Sequence, residues 1–403
     1  MADDAPPAPA RLRVLISAYA CGPGDEPEAS AAWAFAKAAA VSHDVWVVTR
    51  KRFERSIEAA LDDEPGLRDH LHVVTIDLPE RVQRWKRGSA GVYWYYALWQ
   101  RKFAVTAREL HGRVAFDVAH HATFANDWLP CGVAGLGIPF VWGPVGGASD
   151  MPLVRVARWL GLRGTVTELL RVATTGLPRM VFGDRAARLA AVVVAQNPDV
   201  ARRFSASRHV VTEPNAAFDA PPANREPSAQ LSAVFVARLL AWKGGRLLID
   251  AFADPRLAEW RLEIFGDGYE RRRLEQRARR AGISNRVVFH GHRPRTEVLA
   301  AYARARVMVF PSMHDQAGWA AAESSAVGLP VVCLPLGGPP LLADRNAIVV
   351  PLSRHLPSDI ASAVLAAESR GGVPHERWSP TRLPGLVDEW YALAAADGEL
   401  QSR

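Results

Sequence analysis

The sequence predicts an α/β protein of two similar domains, each a parallel sheet wrapped on both faces by helices, that face one another across a central cleft. Three observations carry this reading. Short apolar, β-rich runs alternate with helical stretches along the chain, as parallel strands joined by helical crossovers do. The 403 residues exceed one ordinary core and suit two domains of about 200 residues each. At 219–230 the run DAPPANREPSAQ, with three prolines and no periodicity, interrupts the alternation, which then restarts.

Residues 1–10 are rich in Pro and Ala and carry two acids but no apolar core, so they read as a disordered tail and not as a secretory signal. Strands are expected at 11–19, 43–49, 71–78, 117–123, 139–145 and 191–196, with helices mostly between them, which gives a first domain over 11–218. The linker takes 219–230. The second domain, 231–380, repeats the pattern with strands at 233–236, 261–265, 286–290, 305–310, 330–334 and 347–350, and 381–403 holds a last helix. Loops that follow parallel strands gather along one edge of a sheet, where ligands bind.

A net charge of +7 suits an anionic partner, whether nucleotide, phospholipid surface or nucleic acid. Nucleic acid is the weakest of these, for there is no zinc-finger spacing, no RNP-like aromatic motif and no dense Lys/Arg block. Cys21, Cys131 and Cys333 lie far apart, which fits a reducing compartment and no metal cluster. No D-x-D occurs to hold a metal on a diphosphate. With no apolar run of about 18 residues or more, nothing is expected to span a membrane, and the expected location is cytoplasmic.

One segment leaves room for a peripheral place at the inner membrane face. Residues 81–108 hold Arg81, Arg84, Lys86, Arg87, Arg101, Lys102 and Arg108 without an acid, interleaved with Trp85, Tyr93, Trp94, Tyr95, Tyr96, Trp99 and Phe103. Such a mix marks a membrane-surface helix or an acceptor groove. It marks equally a helix whose aromatics are core and whose charges are solvated. Residues 154–182 form a similar, less aromatic stretch.

The densest chemistry lies at 311–330, PSMHDQAGWAAAESSAVGLP. Pro311 ends a buried strand and a short loop carries His314, Asp315 and Gln316. Gly318, with Trp319 beside it, then opens an Ala-rich helix whose first turn aims free N–H groups and a positive dipole end over the strand's edge, a seat for an anion. Asp315 and Glu323 flank this helix start on different faces; on spacing alone they read as readily as solvated acids. At 233–253 a strand, loop and helix set Lys243 at a helix start, where the dipole repels a cation unless a diphosphate is bound. Arg238, at the strand end, has the planar fork to grip phosphate oxygens.

In the first domain, CGPGDEP makes only a superficial dinucleotide fingerprint, since Pro27 stands at the third glycine's place; Gly24 is read as a backbone contact to sugar or phosphate. Gly146 and Gly147 follow another strand and leave backbone for an acceptor to approach. His120 and His121 are expected to end a strand facing the cleft, where a histidine is as readily structural as functional.

Taken together and in chain order, these motifs resemble the retaining glycosyltransferases of the GT-B fold in family 4, the glycosyl transferases group 1. Asp315 and Glu323 are similar to the E-x7-E motif, with Asp315 one methylene shorter than the usual glutamate. ARLLAWKGG resembles the G-R-L…K-G segment, with Ala237 for the first glycine. IFGDGY, which holds Gly266, resembles the G-D-G turn of the nucleotide pocket, and HGHRP, which holds Arg293, the loop passing the base. Gly337 and Gly338 resemble the last nucleotide-side loop, with Pro339 and Pro340 where an acid is usual. His121 neighbours the second histidine of an H-x-H, here Ala122.

The resemblance implies a GT-B fold of two Rossmann-like domains, the first binding the acceptor and the second the nucleotide sugar, with 381–403 packing back on the first. It implies transfer of a sugar, with retention, from a nucleotide-diphosphate donor to a small-molecule, polysaccharide or lipid-linked acceptor, with no metal and no further cofactor. Asp315, Arg238 and Lys243 would carry the chemistry. Glu323, Gly318, Trp319, Gly266 and Arg293 would bind the donor, and His121, Gly24, Gly146 and Gly147 the acceptor or sugar. A GT-B sugar-nucleotide epimerase and a non-catalytic nucleotide-binding protein are the alternatives.

Overall fold

The computed structural model describes residues 11–24, 26–84, 88–221 and 225–401. The expected tail and residues 85–87 of the basic aromatic stretch lie outside them. The first parallel sheet takes β1 (Arg13–Ala18), β2 (Asp44–Thr49), β3 (Leu71–Thr75), β4 (Val118–Thr123), β5 (Phe140–Val145), β6 (Val192–Ala195) and β7 (His209–Thr212), in the order β3-β2-β1-β4-β5-β6-β7. The second takes β8 (Ser232–Val236), β9 (Arg261–Phe265), β10 (Val287–Gly291), β11 (Val307–Phe310), β12 (Val331–Cys333) and β13 (Ala347–Val349), in the order β10-β9-β8-β11-β12-β13. These are two Rossmann-like domains.

The inner strands are continuous apolar runs because helices cover both faces; β5, β6 and β11 are buried at every position. In each sheet the strand order reverses beside the first strand, between β1 and β4 and between β8 and β11. Chains diverge there and leave a crevice at the carboxyl edge. Each strand expected from the sequence is present. The strand not foreseen, β7, is a four-residue edge strand, exposed at both ends, too short for a pattern to stand out.

The division between the halves is less clean than the sequence suggests. The helix Leu153–Pro178 belongs by connection to the first domain, yet Met151, Val156, Trp159 and Leu160 are part of the second core. Trp159 Nε1 donates to Asp250 Oδ2 at 3.0 Å, and Arg155 Nη1 to the Leu352 carbonyl at 3.1 Å. A break at Gly161, with φ +66°, lets the first turns dock on the far domain while the rest runs on. The last helix, Leu383–Gln401, returns to the first core, where Trp390 and Tyr391 are buried and the Tyr391 hydroxyl lies 2.9 Å from His120 Nδ1.

The basic aromatic helix, Gly88–Val114, is in large part a core helix. Tyr95, Tyr96, Trp99 and Phe103 are buried in the first core, where Tyr19 meets Tyr96 and Trp99 edge to face. Tyr93 and Trp94 remain exposed. Among the described residues no helix is long and apolar enough to cross a membrane.

Candidate active site

The carboxyl edges of the two sheets meet across a cleft of about 1050 Å³. Its second-domain wall is made by loops that leave β8, β9, β10 and β11. Arg238 and Lys243 come from the first of these, Gly266 from the next and Arg293 from the third. Asp315, Gly318 and Trp319 come from the fourth, so seven of the eight donor-side candidates border one space.

The loops are shaped by glycine where no side chain fits. Gly266, at φ +116°, passes so close to the Ala237 carbonyl that a Cβ would overlap it, which keeps the β9 loop against the β8 loop. Gly318, at φ +89°, caps the helix Trp319–Ala326 from the left-handed region. The unpaired N–H groups of that helix's first turn therefore border the cleft at Gly318, Trp319 and Ala320.

Charge is distributed with a purpose along this wall. Lys243 Nζ donates to Asp315 Oδ2, and both side chains are largely buried. Arg238 is exposed to the cleft, with no ion-pair partner among the described residues. Glu323 lies one turn further along the helix, outside the lining of the cleft, and accepts from Arg295 Nε at 2.9 Å. Trp319 reaches the other way, its Nε1 donating to Asn215 Oδ1 at 3.3 Å in the crossing between domains.

The first-domain wall differs from expectation at Gly24 and His121 and in the backbone of Gly146 and Gly147, which has no free polar group. His121 does not face the cleft: it is buried, with Nε2 3.0 Å from the Tyr96 hydroxyl and Nδ1 3.2 Å from Ser17 Oγ. Burial lowers its pKa to about 3, so it is a neutral core histidine. Gly147 has no free backbone polar group, since its N–H donates to Gln316 Oε1 at 2.8 Å and its carbonyl accepts from Arg179 at 2.7 Å. Gly24 is exposed but does not line the cleft. Gly146 does line it, its N–H and C=O taken by Ala125 and Asp127.

In their place stand groups to which sequence reasoning gave no role. Glu28, in the first turn of the helix Pro27–Ser42, lines the cleft with Tyr93, Phe124 and Asn126. It is open to the water of the cleft yet walled by protein, and burial pushes its carboxyl up to about 7. Behind Asn126, the buried Asp127 meets Arg179 Nε at 2.8 Å. Gln316 spans the domains, since Asn197 Nδ2 donates to its carbonyl at 2.9 Å while its side chain holds Gly147. The signal for Gln316 was its place in the Asp315 loop; that for Glu28 was a helix start after the glycine loop.

The arrangement can seat an anionic, phosphate-bearing ligand on the second wall and a neutral, hydroxyl-bearing one beside Glu28. Residues 218–369 match the family profile described as Glycosyl transferases group 1, a span that includes every donor-side candidate. Among curated proteins, the chain is 32% identical over 129 residues to a 2-deoxystreptamine glucosyltransferase of Streptomyces kanamyceticus, a match covering 32% of this chain and 33% of that one. It is 33% identical over 139 residues to a D-inositol 3-phosphate glycosyltransferase of Corynebacterium jeikeium (strain K411), again 32% of this chain and 33% of the relative. The chain thus spans about a third of the length of the curated relatives it matches. Over nearly its whole length it shares a fold with solved structures. Anabaena HepE in complex with UDP and glucose has a TM-score of 0.53 at 19% identity, over 95% of this chain and 100% of that one. Sucrose-phosphate synthase from Thermosynechococcus elongatus has 0.58 at 18%, over 97% and 98%. The architecture is accordingly GT-B, and residues 218–369 within it form a Glycosyl transferases group 1 domain.

Proposed function

We propose that the protein is a retaining glycosyltransferase that moves a sugar from a nucleoside-diphosphate donor to a hydroxyl of a small-molecule, glycan or lipid-linked acceptor. The observation that carries this is the convergence of Arg238, Lys243 and the helix start at Gly318 on one cleft, within the stretch that matches the family profile. In this reading 231–380 binds the donor, 11–218 the acceptor, and 381–403 ties the two together.

Breaking the anomeric bond leaves positive charge on the sugar ring and negative charge on the departing diphosphate. Fixed donors already aimed at that negative charge stabilise it without reorganising, and Arg238, Lys243 and the first-turn N–H groups serve as such. Neutralisation by these groups makes the reaction independent of a metal. Lys243 then shifts from Asp315 toward phosphate, which frees Asp315 to orient sugar hydroxyls. Glu323, just outside the lining and held by Arg295, turns toward the cleft to accept from the ribose hydroxyls when the donor binds, Gly266 and Arg293 border the base, and Trp319 closes that side. The leaving phosphate takes the acceptor proton, with Glu28 positioning the acceptor hydroxyl and Gly146 allowing close approach. Cytoplasmic location belongs to the same reading.

A second reading, a nucleotide-binding protein without turnover, is favoured by the Lys243–Asp315 pair, which ties up both groups. Thermal melting with UDP, GDP, dTDP and ADP sugars, on wild type and Glu323→Ala, tests the site. A ligand at 100 times its dissociation constant adds about 2.7 kcal/mol. A shift with one nucleotide that the variant loses supports the donor site; no shift with any overturns it. Sugar release to water or acceptor from that donor then separates transferase from binder.

A further inference from the structure

The helix that bridges the two domains presents a second surface whose chemistry the cleft does not use. From Leu162 onward its buried face, at Gly164, Glu168 and Thr175, packs against the protein. The opposite face carries Leu162, Val166, Leu169, Leu170, Leu177 and Met180, each between 44% and 84% exposed. Spaced 4, 3, 1, 7 and 3 residues apart, with Met180 in the turn Arg179–Gly183 that continues the helix, they fall on one side of it and form one stripe, about 27 Å long at the α-helical rise. An apolar stripe of this length is not left to water without a reason.

The rim of the stripe is cationic. Residues 151–189 hold seven arginines and two acids, and the two acids, Glu168 and Asp184, are taken by Arg171 and Arg203. At one end Leu162 borders a groove of about 380 Å³ shared with Arg163, Arg273 and Arg280. Glu270 nearby is already bound by Arg246 and Arg273, and Asp250 by Arg277. That leaves Arg163, lying 4.0 Å over the Tyr269 ring, and the exposed Arg280 without a carboxylate among the described residues. Arg185 and Arg188 are exposed beyond the other end.

We propose that this face, Leu162 to Met180 with its arginine rim, docks on an anionic lipid surface. An exposed apolar helix face with cations along its border buries the apolar groups at the acyl boundary and sets the cations among anionic headgroups. A second copy of the chain is the poorer occupant. Two-fold pairing of the stripe on itself would bring rims of like charge together. The basic aromatic helix is not this surface, because most of its aromatics are in the core. The inference does not depend on the transfer reading.

The test is co-sedimentation of the full chain with vesicles, without donor or acceptor, so that a failed transferase and a failed docking face are told apart. Wild type is expected to bind vesicles of phosphatidylcholine with phosphatidylglycerol, far less to phosphatidylcholine alone, and less as salt rises. Val166→Asp with Leu170→Asp should lower binding about tenfold or more at an unchanged melting midpoint, since both positions are exposed. Arg163→Glu with Arg280→Glu should lower it at least about fivefold per arginine. Absence of wild-type binding to the anionic vesicles, or equal binding by the Val166/Leu170 variant, overturns the proposal. So does a concentration-dependent dimer that the same variant abolishes.

Discussion

The two walls of the cleft are built on different terms. The second-domain wall is charged: Arg238, Lys243, Asp315 and Arg293 come from three loops, those that follow β8, β10 and β11. The first-domain wall is nearly neutral. Its backbone at Gly146 and Gly147 is spent on internal hydrogen bonds and its histidines are sealed in the core, so Glu28 is the ionisable carboxylate among its lining residues. Charge on one side and its near absence on the other match a ligand that carries its charge at one end. In the proposed reading, the domain that holds a constant diphosphate fixes its donors locally, whereas the one that meets the acceptor keeps shape and a few polar groups.

If this contrast is right, the largest loss follows from removing charge on the second wall. Lys243→Ala should cost about 2.7–4 kcal/mol in the barrier, a fall in kcat of about 10²–10³ with the fold intact. The same change leaves Asp315 without its cation, so Lys243→Ala with Asp315→Asn belongs in the same kinetic cycle. If the double variant recovers activity, Lys243 only silences Asp315 and the contrast collapses.

The first wall should answer differently. His121→Ala removes partners of Tyr96 and Ser17 and should destabilise the fold by about 1–3 kcal/mol while leaving kcat of the folded protein unchanged. The pH dependence of melting sharpens this. His120 and His121 have folded pKa values lowered to about 4 and about 3 from 6.5, chiefly by burial. Below pH 6.5 the unfolded chain takes protons that the folded one refuses, so their contribution to stability is present above 6.5 and is lost as pH falls. A kcat effect of His121→Ala at an unchanged midpoint would put the ring back at the cleft.

The same asymmetry decides how much could be read from the sequence. Donor-side residues were legible because strand, loop and helix follow one another within a short span, so Lys243 and Gly318 are located by their own neighbours. Their burial and pairing were not: that Asp315 is held by Lys243 depends on two loops 72 positions apart. On the acceptor side, His121 occupies a strand end in sequence, but its surroundings come from Ser17 and Tyr96 on other elements. Glu28 drew no role from its local sequence because the cleft around it is lined by residues from both domains. The fold was readable nearly throughout, since apolar runs mark buried parallel strands. The exceptions were the short edge strand β7 and the docking of Met151–Leu160 on the second core, which no local pattern encodes.

Glu28 offers a smaller and more selective test. Glu28→Gln should reduce kcat/KM for the acceptor about tenfold, the scale of a hydrogen bond to a charged group, without altering nucleotide-induced melting shifts. Its ionised form accepts from the acceptor hydroxyl, so wild-type kcat/KM should rise through pH of about 7, and the variant should lose that limb. The stability sign is opposite to that of the histidines. The folded protein keeps a proton on Glu28 that the unfolded chain releases from 4.5 upward, so this contribution falls between 4.5 and about 7. A pH profile unchanged by Glu28→Gln removes the acid from the acceptor side.

The smallest expected effect concerns what holds the walls together. Gln316 leaves the Asp315 loop, accepts from the Gly147 N–H at 2.8 Å with its side chain, and receives Asn197 on its carbonyl. A second tie joins Asp199 Oδ2 to the Gly337 N–H at 3.0 Å. Both link the two domains, and Gln316 does so from the lining of the cleft, so closure and chemistry share its loop. Gln316→Ala deletes the 2.8 Å bond from the Gly147 N–H, with longer contacts of 3.4–3.5 Å to Asn197, Ser149 and His314, and leaves the Gly147 N–H without that partner, a loss of about 0.5–1.5 kcal/mol for the short bond. Much of that falls on the closed arrangement and not on the cores, because neither core includes Gln316. The expected signature is a small fall in transfer with a rise in donor hydrolysis, as a looser cleft admits water. Small-angle scattering with bound nucleotide should show a larger mean radius for the variant. An unchanged ratio of hydrolysis to transfer would mean that the walls are held apart and together by the cores and the bridging helix alone, and that the Gln316 contact only reports closure.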